Sequence, residues 1–362
     1  MITSILIDAT HLGTAQPTGV EAYVRALLPA LSRLLMEEKV TVTWVGHEHE
    51  RPECLPEGVQ WLYSPHTPFW SQRRLPTLLK ATEPDLFYTP SGIPPLRWHG
   101  KTAMTVHDMA TYLAPEAFSP ADRFRLGWLS AHAAHRASRL IVPSRYTFSL
   151  VERFWKIPPA RLVVVPHGPT LDKDIAPEVV AGCDPENYFL FVGRLERKKN
   201  LLPLIAGFSK YAAKGPGQLV LAGKEGHGIK EIRHAIARLP EEIRARVILP
   251  GYVSVGQKRW LMEHAKAVLV PSIVEGFGMP VLEGFAAGVP VLCSQAGSLP
   301  EIAGNAALYS QPDIGTDWFL QMQKLDDVEL RHKMVLAGKR RLEDFSWERA
   351  AEGTAGALLS LG

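Results

Sequence analysis

Two glutamates, Glu275 and Glu283, stand with seven residues between them in the run Pro271-Ser-Ile-Val-Glu-Gly-Phe-Gly-Met-Pro-Val-Leu-Glu283. A carboxylate accepts hydrogen bonds from two hydroxyls at once, so such a pair suits a polyhydroxylated ligand such as a sugar or a ribose. Ala267–Pro271 is a short apolar run and reads as a buried parallel strand. Gly276 and Gly278 permit positive φ and a close approach of ligand to backbone. Pro280 suits the first position of a helix, where its missing N–H costs nothing. The expected order is therefore strand, tight loop, helix, with Glu275 on the loop and Glu283 in the first helical turns. On one continuous helix, eight positions would separate the carboxylates by about 12 Å of rise. With Glu275 on the loop, both reach one crevice, and a helix N-terminus beside them offers N–H groups and partial positive charge to a diphosphate. The same residues also fit a simple turn and a helix with a solvated carboxylate, and by themselves they do not separate the two readings.

Other residues of chemical interest sit where strands are expected to end. Tyr188-Phe-Leu-Phe-Val-Gly193-Arg194-Leu-Glu-Arg-Lys-Lys199-Asn200 is an apolar strand followed by a basic loop. There the Arg194 guanidinium can grip phosphate oxygens with several donors, and the Lys199 ammonium acts as a point charge. A solvated basic turn is the plainer alternative, since Arg197 and Lys198 add to the cluster. Ala103-Met-Thr-Val106-His107-Asp108 ends another strand with an imidazole able to bond a sugar hydroxyl. Thr10–Val20 holds Gly19 at a helix entry and lacks a Gly-x-Gly-x-x-Gly fingerprint, which speaks against a nicotinamide dehydrogenase.

These positions require a frame of alternating strands and helices. Strand-like runs at Ile5–Ile7, Val40–Val45, Val59–Leu62, Leu86–Tyr88, Ala103–Val106 and Leu162–Val165 alternate with helical patterns. A Pro- and Gly-rich stretch between Pro166 and Pro185 reads as a linker. A second set follows at Tyr188–Val192, Gln218–Leu221, Val247–Leu249, Ala267–Val270, Val289–Leu292 and Ala307-Leu308. The expectation is an α/β chain of two Rossmann-like, doubly wound domains facing a cleft, residues 1–170 and 171–345. A last helix, 346–362, crosses back to the first domain. Ligands of such sheets bind outside the carboxyl ends of the strands.

Composition narrows the class. With 46% hydrophobic and 21% charged residues the chain is an ordinary globular one. A net charge of +3 is too small to argue for nucleic acid. Three widely spaced cysteines, Cys54, Cys183 and Cys293, give neither a disulfide framework nor zinc spacing and point to a reducing compartment. The N-terminal apolar run is too short for a signal peptide, and no run approaches the ~20 apolar residues of a membrane span. The expected location is the cytoplasm. Residues 61–170 carry 13 Lys/Arg against 6 Asp/Glu, and within them Phe69–Lys80 combines aromatics, bases and an apolar face. Such a segment can lie on an anionic membrane surface, although an ordinary core helix with a basic outer face fits better.

The whole pattern resembles the family 4 retaining glycosyltransferases, whose fold is GT-B. The Glu-x7-Glu pair resembles that family's signature and Gly193-Arg194-Leu-x3-Lys199 matches its motif residue by residue; Val106-His107-Asp108 resembles its N-domain motif, and Gly251-Tyr252-Val253 is a weaker match. The resemblance implies transfer of a hexose from a nucleotide diphosphate sugar, with Arg194 and Lys199 neutralising the leaving diphosphate. It implies further that His107 approaches the transferred sugar and that Gly19 faces the diphosphate and acceptor. Tyr252 and Val253 would lie beside the base. Glu275 would bind sugar hydroxyls, with Gly276, Phe277, Gly278 and Met279 lining the donor, and Glu283 would bind the ribose. No metal or other cofactor is expected, and Asp172-Lys-Asp174 reads as a solvated turn. His167 departs from the family, which more often shows Asn there. With Trp70-Ser-Gln-Arg-Arg-Leu-Pro76 included, the pattern looks like bacterial surface-polysaccharide mannosyltransferases, implying GDP-mannose and a glycan or lipid-linked oligosaccharide acceptor. A UDP- or dTDP-sugar would need almost the same residues. A GT-B enzyme resembling UDP-GlcNAc 2-epimerases stays open as another class.

Overall fold

The computed structural model describes residues 1–13, 19–171, 174–185 and 187–362. The chain forms two compact units. The first comprises Met1–Tyr112, Pro120–Gly168 and Phe345–Gly362, and the second Leu113–Ser119 and Pro169–Asp344.

The first unit is built on strands β1 (Ser4–Asp8), β2 (Thr41–Gly46), β3 (Gln60–Tyr63), β4 (Leu86–Thr89), β5 (Thr102–Thr105), β6 (Arg139–Val142) and β7 (Leu162–Val164). They form one parallel sheet in the order β3-β2-β1-β4-β5-β6-β7. Central strands buried on both faces need apolar residues at successive positions. Accordingly Ile5, Leu6 and Ile7 are all inaccessible, with Ile5 in register with Val42 on one side and Leu86 on the other. On one face the helices Gly19–Glu37 and Trp347–Leu359 share a core that includes Leu27, Leu31, Trp44, Ala351 and Leu358. On the other, Trp70, Leu75 and Leu79 pack with Leu6, Val45 and Phe87. The apolar face of 69–80 is therefore spent on the core of its own unit, and the membrane-surface reading of that segment is not sustained.

The second unit carries β8 (Tyr188–Val192), β9 (Gln218–Ala222), β10 (Val247–Gly251), β11 (Ala267–Val270), β12 (Val291–Ser294) and β13 (Leu308–Ser310). They form a parallel sheet in the order β10-β9-β8-β11-β12-β13. The sequence pattern placed β12 two residues early, because Val289-Pro290 continues the apolar run. Proline cannot join the ladder with an N–H, and the strand begins after it. Phe189, Phe191, Phe208, Leu219 and Trp318 fill the core on one side. Both sheets thus present rows of strand ends whose loops carry the residues of chemical interest.

Candidate active site

In the second unit, glycines let the loops leaving β8, β9 and β10 lie against one another. Gly193 and Gly223 have φ of +152° and +147°, a region closed to most side chains. A Cβ on Gly223 would fall 1.9 Å from the Gly193 carbonyl oxygen. The loops then hydrogen-bond like an extended ladder, Leu195 N to Lys224 O at 2.8 Å and Arg197 N to His227 O at 2.8 Å. Gly226 leaves room for the Arg194 stem, whose Cγ and Cδ would each lie 2.9 Å from an added Cβ. Arg194 is thereby laid along the loop while the residue remains exposed.

Lys199 closes the same loop as the last residue of a short 3-10 turn, Arg197–Lys199. Its Nζ donates to Glu275 Oε1 at 2.5 Å, and Ser272 Oγ donates to the same oxygen at 2.7 Å. Both charged side chains are mostly covered, 17% and 15% exposed. The loop after β12 fixes the backbone of Glu275. Ser298 donates to the Glu275 carbonyl through N (3.2 Å) and Oγ (3.0 Å), and Gly297, at φ +62°, lies against its peptide. Lys199 and Glu275, to which the family resemblance gives separate tasks, are ion-paired with each other.

The helix Met279–Ala287 follows, with Gly278 at its N-cap, φ +101° and no side chain capping the first N–H groups. Pro280 is its second residue, one position later than expected, because Met279 already has helical geometry. Gly276, Phe277 and Gly278 are buried, so Phe277 is a packing residue of the loop. Glu283, only 3% exposed, accepts from Lys258 Nζ at 2.5 Å and from the Thr170 hydroxyl. Each carboxylate thus carries its own lysine. Lys258 gave no local sequence signal beyond following the capping box of Ser254 and Gln257, which starts its helix, Val255–Glu263. Just before that box, Val253 is buried and Tyr252 lies under the Lys224 ammonium, 5.0 Å from the ring centroid.

The first unit holds His107 just past β5. Its Nε2 lies 2.8 Å from the Pro90 carbonyl, so Nε2 carries the proton and Nδ1 keeps a lone pair. Burial pushes the imidazole below its ordinary value, against the pull of the Pro90 carbonyl and Asp108, and keeps it neutral near pH 7. A neutral ring of this tautomer accepts a hydrogen bond from a hydroxyl. Asp108 Oδ1 accepts from Ala110 N at 3.0 Å and so shapes the loop. His167 is a buried packing residue, stacked on Trp347 with ring centroids 6.0 Å apart. Gly19 opens its helix at an exposed position with open space around it. Thr18 before it lies outside the described residues, as do Asp172 and Lys173 of the Asp172-Lys-Asp174 turn. The 70–76 motif is structural in large part. Trp70 donates to Ser64 Oγ at 2.8 Å, and the Gln72 amide holds the loop after β4 through Pro94 O (3.2 Å) and Leu96 N (3.0 Å).

Two family models meet end to end on this chain. Residues 17–173 match Glycosyltransferase Family 4, and residues 172–340 match Glycosyl transferases group 1. The chain belongs to the family 4 glycosyltransferases. It is 29% identical over 270 residues to O-antigen chain mannosyltransferase B of Escherichia coli, covering 71% of this chain and 70% of that enzyme. It is 25% identical over 225 residues to O-antigen chain mannosyltransferase RfbU of Salmonella typhimurium, covering 62% and 61%. Its fold matches sucrose-phosphate synthase of Thermosynechococcus elongatus with a TM-score of 0.78, at 19% identity over 99% of both chains. The α/β architecture is GT-B, and this family 4 enzyme is a hexosyltransferase.

Proposed function

We propose that this glycosyltransferase moves mannose from GDP-mannose to a glycan or lipid-linked oligosaccharide with retention of anomeric configuration. The similarity to two O-antigen chain mannosyltransferases carries the choice of sugar. In the reaction the acceptor oxygen bonds to the anomeric carbon as the carbon–oxygen bond to the diphosphate breaks. The diphosphate leaves with the electron pair and takes up the acceptor's proton. Arg194 and Lys199 balance the negative charge that grows on the leaving group, a role for which fixed donors outside bulk water are effective. Glu275 receives donor-sugar hydroxyls, Glu283 receives the ribose hydroxyls, and neutral His107 accepts from a hydroxyl of the transferred sugar.

A ligand that binds only the folded protein raises its melting temperature. GDP is therefore expected to shift the melting temperature more than UDP or dTDP at equal concentration. A larger shift with UDP or dTDP overturns the mannose assignment, and conversion of UDP-GlcNAc to its free 2-epimer with no transfer overturns the transferase mechanism. Because two basic residues take the place a divalent cation would have, turnover is expected to be unchanged by a chelator. Loss of activity restored by added Mg²⁺ would make the reaction metal-dependent.

A further inference from the structure

The donor site leaves unassigned a second imidazole in the first unit, that of His11 in the loop after β1. Asp8 ends that strand buried and ties two neighbouring loops together. Its Oδ1 accepts from Thr10 N (3.1 Å) and Thr10 Oγ (2.7 Å), and its Oδ2 lies 3.3 Å from Thr89 Oγ at the end of β4. Thr89 Oγ donates to Ser91 O at 2.6 Å, which curls the loop after β4 back on itself. His11 Nδ1 then meets Ser91 Oγ at 2.8 Å, and Ser91 is buried. His107 Nε2 holds the preceding residue of that loop through Pro90 O, also at 2.8 Å. Two imidazoles, one past the end of β1 and one past the end of β5, thus bracket the loop of the strand between them.

Each ring has one nitrogen left over. On His107 it is Nδ1, which the proposed reaction uses for a hydroxyl of the transferred sugar. On His11 it is Nε2, which meets no partner among the described residues although the side chain is half-buried. Gly92 follows at φ +102°, and a Cβ there would lie 4.0 Å from His11 Cε1, so the glycine leaves that edge of the ring uncovered. In either tautomer Nε2 suits a hydroxyl, which both donates and accepts. β1 and β5 are two strand spacings apart, about 10 Å, which gives each ring room for its own hexose. The attacking oxygen has to meet the anomeric carbon of the hexose at His107, so the acceptor ring lies against adjacent strand ends. Asp8, Thr89 and Ser91 fix this part of the site in advance, which lowers the ordering cost of binding.

We infer that His11 binds the acceptor, its Nε2 bonding a hydroxyl of the acceptor sugar beside the hexose that His107 receives. The inference rests on the proposed transfer reaction. A ring that only pinned Ser91 would act through Nδ1 alone, and two variants separate the nitrogens. The amide of Asn reaches the place of Nδ1, and the longer amide of Gln reaches the place of Nε2. Transfer from GDP-mannose to methyl α-mannoside is measured beside hydrolysis of the donor by water. His11→Asn should lower kcat/KM for the acceptor about ten-fold, the loss of one hydrogen bond, with donor hydrolysis and GDP affinity unchanged. His11→Gln should recover most of that loss. Wild-type transfer in His11→Asn overturns the inference. Equal loss of transfer and donor hydrolysis also overturns it, since the ring would then act on the donor. A second readout needs no turnover. In GDP-loaded enzyme with nitrogen-labelled histidine, the His11 Nε2 resonance is identified by its loss in His11→Asn. It should move when methyl α-mannoside is added, and a resonance that the mannoside leaves unmoved overturns the inference. Transfer absent with GDP-mannose but present with a UDP- or dTDP-sugar overturns only the donor assignment, and the same comparison of variants is then read with that donor.

Discussion

Lys199→Ala is expected to lower kcat by about 100-fold or more, the loss typical of removing one fixed donor from a developing anion. The ion pair with Glu275 adds a second observable. In the structure the two side chains neutralise each other at 2.5 Å. A nucleoside diphosphate that needs Lys199 must draw the ammonium away from Glu275, so the carboxylate competes with the ligand. Glu275→Gln removes that competition. It should bind the free nucleoside diphosphate at least as tightly as the wild type while its turnover falls, because the sugar loses a charged acceptor. Lys199→Ala should lose both affinity and turnover. Calorimetric titration with GDP, beside single-turnover rates, reads both effects. Equal loss of GDP affinity in both variants would mean the pair acts as one structural clamp. Wild-type turnover in Lys199→Ala would remove the lysine from the mechanism.

The parts of this arrangement written as local patterns were legible in the sequence. Tyr188–Val192 and Ala267–Val270 are short, wholly apolar runs bounded by loop residues, and both are buried strands of the second sheet. The turn at Gly278 and the helix after it follow from glycine and proline chemistry. β6 was not legible as a strand. Arg139-Leu-Ile-Val142 is four residues long and follows directly on a helical pattern, with a proline close behind. The partners of the carboxylates were not legible either. Lys258 lies 25 residues from Glu283, on a helix surface where a lysine is ordinary, and only tertiary packing joins them. Ser298 and Gly297 support Glu275 through contacts across neighbouring strand ends, which no period in the chain encodes. The Trp70–Pro76 motif shows the converse. It marks a pattern correctly, yet Trp70, Gln72 and Leu75 act by holding a loop and a core.

Gly223→Ala is expected to be the most destabilising single methyl in the second unit. The added Cβ would meet Gly193 O at 1.9 Å and Gly193 C at 2.7 Å, backbone atoms that no rotamer change can move aside. The φ of +147° adds a conformational cost for any L side chain. Relief requires the ends of β8 and β9 to part. That strains the bonds from Gly193 N to Ala222 O (2.9 Å) and from Gly223 N to Gly251 O (2.7 Å). A loss of about 3 kcal/mol follows, in the range of mutations that break buried backbone geometry. For a domain of this size it lowers the melting transition by roughly 6 to 12 °C. The same shift displaces Arg194, whose loop is zipped to the one Gly223 begins, so the protein still folded at low temperature should bind GDP more weakly. Gly356→Ala is the control, since it sits exposed within the Trp347–Leu359 helix with nothing within 4 Å of its added Cβ. That variant should gain up to ~1 kcal/mol from helix propensity. One methyl at two glycines thus has opposite expected signs. Calorimetry showing Gly223→Ala as stable as the wild type would mean the two strand ends are not packed backbone to backbone, and Arg194 would then lack its support.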